Sequence, residues 1–128
     1  MRKNRLAILA AGGWITASEF VRNELFFKHY WVDHFAGLGL KFATLPVNGF
    51  LWTLWSFGLA AVIAKLLTRF SCGQTIGYAW LGAFPLMWIC LYNLRVLPHG
   101  LLLSAVPLSL LEVSIATFLV RKLQGRPA

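Results

Sequence analysis

From Pro46 to Leu94 the chain carries only two charged residues, Lys65 and Arg69, and they sit together near the middle of the run. A soluble fold cannot easily use so long an apolar stretch, because much of it would stay in water. A bilayer can, since about 20 apolar residues in a helix cross its ~30 Å hydrocarbon core. Pro46 to Leu67 and Thr75 to Leu94 each have that length, as do Leu6 to Phe27 and Leu101 to Val120. Only 12% of the residues are charged and 59% are hydrophobic, against about 25% charged in soluble domains. The sequence predicts an all-α polytopic membrane protein. It reads as one domain over residues 1–128, a four-transmembrane-helix bundle with helices at about 6–27, 46–67, 75–94 and 101–120. An interfacial segment lies between the first two.

The punctuation agrees with this division. Residues 1–5 are a basic start. Read as a signal peptide, the start lacks a convincing small-x-small cleavage site, and apolar character resumes at Leu25, so an uncleaved first helix is expected. Ala10, Ala11, Gly12 and Gly13 make that helix slender enough for close contact. Residues 28–45 interleave Tyr30, Trp31, Phe35 and Phe42 with charges, the composition of an interfacial belt. A short helix over Phe27–Phe35 should break at Gly37 and Gly39. Pro46 suits the first turn of the second helix. Ser71–Thr75 and Pro98-His99-Gly100 are turns, and Pro85 and Pro107 should bend the helices that contain them.

The formal charge is +8, but the basic residues form no single patch, which argues against nucleic acid. They gather at the ends of the apolar runs. Four crossings put Arg2, Lys3, Arg5, Lys65, Arg69, Arg121, Lys122 and Arg126 on one side, and Lys28, Lys41 and Arg95 on the other. By the positive-inside rule both termini are cytoplasmic, in a multi-pass inner-membrane arrangement. Cys72 and Cys90 are too far apart for a redox C-x-x-C and read as small apolar fillers.

Ionisable groups at membrane depth are costly and raise a functional question. Glu19 and Arg22 are three apart and share a helix face. At 1.5 Å per residue, Glu19 lies roughly 10 Å below the outer boundary. Asn48 begins the second helix at that level, Asn93 and Arg95 end the third, and His99 begins the fourth. These groups could line a pocket open to the outside, with Arg22 or Arg95 holding an anion and Glu19 a proton or cation; an ordinary polar interface is the plainer alternative. Trp52, Trp55 and Trp88 read as core packing or as a wall of such a pocket. Glu112 lies roughly 17 Å from the outer end of the fourth helix, with no basic residue evident at its depth. Ser109, Ser114, Thr16, Ser18, Tyr78 and Trp80 are its candidate donors. His29, Asp33 and His34 are the right types for a metal, but nothing in their pattern defines a site. No metal or cofactor is expected. No phosphate loop, nucleophile elbow or zinc motif supports an enzyme.

The short four-helix layout with Glu19 on the first helix resembles the small multidrug resistance transporters, which work as dimers by proton exchange. Arg22 one turn away, the second deep acid Glu112 and the long 28–45 segment depart from that pattern. Phe20–Trp31, Pro46–Trp52 and Pro107–Glu112 resemble runs in small bacterial four-span membrane proteins of unknown function, which implies a fold and a bacterial membrane but no activity. The expected function is binding or carrying a small solute in the outer half of the bundle. The alternative is a structural or assembly subunit. Expected partners are the lipid bilayer and a small-molecule ligand or proton, with a homo-oligomer or a larger membrane complex as the assembly.

Overall fold

The structure, a computed structural model, describes residues 1–125; Arg126, assigned above to the basic end, lies outside the described residues. Every regular element among the described residues is helical: α1 (Arg2–Phe20), a π-helical segment (Val21–Phe26), α2 (Lys28–Gly37), α3 (Pro46–Leu66), α4 (Cys72–Ala83), α5 (Pro85–Asn93) and α6 (Leu102–Gln124). Three spans are long and apolar enough to cross a membrane: Pro46–Leu66, Cys72–Asn93 and Leu102–Gln124. The protein is thus all-α with the character of a membrane protein. α1 is less apolar, because Arg2, Lys3, Arg5 and Glu19 interrupt it.

α1 lies against both α3 and α6, and α4 packs on α6 and α3. The seam mixes small residues with β-branched and leucine side chains. Ala7, Ala11, Gly12 and Ile15 of α1 meet Leu59, Ala60, Ile63 and Ala64 of α3 and Val113, Ala116 and Val120 of α6. Helices in lipid gain nothing from hiding apolar surface from one another, so close backbone approach and dispersion must hold them. Gly12 shows how close the approach is. A Cβ there would lie 2.5 Å from the Phe57 ring, whereas one at Gly13 would meet open space. Many large apolar side chains face outward, among them Leu9, Phe50, Leu54, Ile89, Leu103, Leu111 and Phe118. That outward-apolar arrangement suits acyl chains.

The helix ends use the chemistry of their sequences. Asn48 Oδ1 accepts from the Leu45 N–H at 3.0 Å, at the start of α3. Ser71 and Gln74 cap α4 reciprocally, Ser71 Oγ accepting from the Gln74 N–H and Gln74 Oε1 from the Ser71 N–H. Gly125 closes α6 in the left-handed conformation that glycine adopts most readily.

Two expected helices differ from their sequence reading. The first is α-helical only to Phe20 and then widens, with the Phe27 N–H reaching back five residues to the Arg22 carbonyl at 2.9 Å. The third begins at Cys72, three residues before the expected Thr75, and its bend at Pro85 is sharp enough to divide it at Phe84 into α4 and α5. Pro85 has no N–H for the preceding turn, so the helix restarts with proline in its first turn. The 28–45 segment holds α2, which ends two residues beyond the expected Phe35, then a turn at Gly39 with φ +72°. It folds over the 95–101 turn. His34 Nε2 donates to the Arg95 carbonyl at 2.8 Å, and Phe27 and Trp31 pack on Leu97, Leu101 and Ala105.

Candidate functional site

The junction of α1 and the π segment carries the only buried charges among the described residues apart from one on α6. Glu19 is 7% exposed, Arg22 8% and Glu112 1%. The local sequence sets the first pair, since a three-residue step places both on the inward face. Arg22 Nη2 donates to Glu19 Oε1 and stands 3.6 Å from Glu112 Oε2. Two carboxyl groups therefore face each other across one guanidinium nitrogen.

Neutral neighbours complete most of the shell. Asn23 Nδ2 donates to Glu19 Oε2 at 2.7 Å and to the Glu19 carbonyl at 3.1 Å. Trp31 Nε1 donates to Asn23 Oδ1 at 3.3 Å, which ties α2 to the cluster. Ser18 Oγ donates to Glu112 Oε2, and Trp14 Nε1 donates to the Glu112 main-chain carbonyl at 3.0 Å. The guanidinium carbon lies 5.5 Å from the centre of the Phe84 ring, within cation–π range. Phe84 in turn meets Trp55 of α3 edge-on and Trp88 of α5 at a tilt. Arg22 is thus the point where α1, α6 and the α4–α5 break converge.

Two buried polar atoms in this shell have no partner, Arg22 Nη1 and Glu112 Oε1. A buried donor or acceptor left unpaired is expensive, and such groups call for an explanation. The charge balance is also uneven. With both carboxyls ionised the three groups carry one net negative charge, and one added proton makes the cluster neutral. The arrangement can therefore hold a proton between carboxyl groups, or admit one small polar guest that bonds the open nitrogen and the open oxygen.

The structure brings together Glu19, Arg22 and Glu112 of the residues marked in the sequence. The rest stand apart. Asn48 caps α3, and Asn93 and Arg95 are exposed at the end of α5. Trp52 is half-exposed and packs edge-on against Trp55, while Trp88 contacts Trp80 and Phe84. His99 is exposed, with its ring 5.6 Å from that of His34. The expectation that Glu112 has no basic neighbour is corrected by Arg22. Counting residues from the ends misplaced their depths, because Leu97, Pro98 and Leu101 are tucked in under α2 instead of riding at the surface. Arginine's length then spans what remains. Of the six donors considered for Glu112, Ser18 bonds its carboxyl; Trp80 Nε1 bonds Ser109 Oγ instead, at 2.9 Å. Phe84 escaped the sequence reading, although Pro85 beside it was a legible signal of a helix break. No group of three or more metal-ligating side chains occurs among the described residues.

Two grooves open elsewhere, and neither is lined by the cluster. One of about 540 Å³ runs along Tyr92, Leu97–Gly100, Leu102, Leu103, Val106 and Pro107. The other, about 460 Å³, lies at the opposite end between α1, α3 and α6. Comparison with protein-family models, curated proteins and solved structures finds no match to this chain.

Proposed function

We propose that this is a four-span bacterial inner-membrane protein with cytoplasmic termini that binds or carries a small solute in exchange for a proton held at Glu19, Arg22 and Glu112. The observation that carries the reading is the pair of open valences, Arg22 Nη1 and Glu112 Oε1, inside an otherwise bonded, buried cluster. A cluster that served only to fasten helices would gain by closing both. The exchangeable species is a proton on the carboxyl pair, and the guanidinium keeps the emptied pair from carrying two uncompensated charges. The placement of Glu19 on the first helix is similar to the small multidrug resistance transporters, and the local runs to small four-span bacterial proteins. Unlike the first of these layouts, Glu19 here already has an arginine partner.

The fourth crossing is α1 with its π segment, which fits between α3 and α6 along its length. The charge asymmetry then puts the α1 start and the α6 end in the cytoplasm. Single-cysteine accessibility labelling should find residues 28–45 outside and the α6 end inside. Labelling of both from one side would remove this topology.

A pH jump applied to the reconstituted protein on a solid-supported membrane tests the proton site without knowledge of the solute. The expected result is a transient charge displacement that disappears in Glu112→Gln and Glu19→Gln variants of unchanged helicity. A wild-type protein that gives no transient would end the carrier reading.

The second reading is a structural or assembly subunit. It is favoured by the position of both grooves away from the cluster. It predicts that Glu19→Gln and Glu112→Gln change stability alone.

A further inference from the structure

The end of the bundle opposite α2 gathers Arg2, Lys3 and Arg5 at the α1 start, Lys65 and Arg69 at the α3 end, and Arg121 and Lys122 at the α6 end. Contacts between these ends place them together: Gln124 Nε2 donates to Asn4 Oδ1 at 2.6 Å, and Arg121 Nη1 to the Cys72 sulfur at 3.1 Å. The chain has four acidic residues, Glu19, Glu24, Asp33 and Glu112, and none of them is at this end. Among the described residues only Arg22 and Lys28 pair with carboxylates. Among the described residues, seven cations are therefore left without an acidic side chain beside them in one place, although like charges crowded together repel.

The groove at this end gives that excess a shape. It is lined by Met1, Lys3, Asn4, Ala61, Ala64, Lys65, Thr68 and Gln124. Lys3 comes from the α1 wall and reaches the α6 end, its Nζ 3.6 Å from where a Gly125 Cβ would stand. Lys65 comes from the α3 wall. Thr68, Asn4 and Gln124 add neutral polar groups at the mouth, and Gln124 Oε1 is buried without a partner. Ala64 beside Lys65 and Ala61 one turn deeper along α3 give the groove an apolar floor. A cationic mouth above an apolar floor matches a molecule with an anionic head and a hydrocarbon tail. We infer that this groove between α1, α3 and α6 binds the phosphate headgroup of an anionic phospholipid, with Lys3 and Lys65 on the phosphate and the acyl chain along Ala61 and Ala64. A free phosphate would use the two lysines and leave the floor unused. The inference needs the bilayer setting but not the carboxyl cluster, so either can fail alone.

The test is native mass spectrometry of the full chain released from micelles containing phosphatidylglycerol, phosphatidylcholine or inorganic phosphate. Wild type is expected to retain one phosphatidylglycerol in preference to phosphatidylcholine. The Lys3→Gln/Lys65→Gln variant should bind it on the order of tenfold more weakly. Lys3→Arg/Lys65→Arg should retain it, which separates charge from folding. Arg2→Gln/Arg69→Gln, with the same loss of charge outside the groove, should also retain it. Equal weakening by that control would show diffuse attraction and overturn the site. Equal retention of phosphatidylcholine, or displacement of the lipid by inorganic phosphate, would overturn it as well.

Discussion

Arg22→Leu is expected to lower the unfolding free energy by about 3–5 kcal/mol, the usual cost of removing one partner from a buried ion pair. The substitution leaves two carboxyl groups facing each other with no cation, in a shell where Glu19 and Glu112 are both buried. It also removes the contact with Phe84, worth about 0.5–2 kcal/mol. Denaturant titration of the detergent-solubilised protein, followed by circular dichroism, measures the change. Adding Glu19→Gln and Glu112→Gln to Arg22→Leu should recover a large part of the loss, because neutral groups there need no counter-ion. A change below about 1 kcal/mol in the single variant, the scale of a surface pair, would mean that the guanidinium is solvated and that the cluster is open.

Phe84→Ala is expected to cost about 3–5 kcal/mol, the range for deleting a buried phenyl ring. Phe84 is 2% exposed and occupies the break between α4 and α5, where its ring touches Trp55, Trp88 and the Arg22 guanidinium. Truncation empties the space beside the Arg22 guanidinium, so water gains a way in from the α4–α5 side. Thermal unfolding with tryptophan fluorescence reads both effects, since Trp55 and Trp88 lose a shared neighbour. Trp52→Ala is the control. Trp52 is 49% exposed, and its removal should shift stability far less than Phe84→Ala. Equal shifts would show that the α4–α5 break is not a packing centre.

The all-helical architecture and its membrane character were legible before any coordinate. They follow from apolar run length and from the scarcity of charge, which any fold of this chain must accommodate. Pro46 in the first turn of α3 was readable as well, since turn chemistry acts over three or four residues. The Ser71 cap was not: residues 71–75 read as a turn, and α4 starts within them at Cys72. Glu19 and Arg22 were legible as a pair because a three-residue step on a helix leaves them little choice.

What the tertiary structure alone decided was the meeting of Glu112 with that pair. It depends on how far α6 slides along α1, on the inward fold of the 95–101 turn and on the reach of an arginine. None of these is encoded in local periodicity. The same holds for Phe84, whose importance comes from the chains it touches and not from its neighbours in sequence. Asn48, Arg95 and His99 illustrate the converse: similar depth put them in one layer, but depth does not set direction around a helix axis. Local sequence determines which side chains share a face; only packing determines which faces meet.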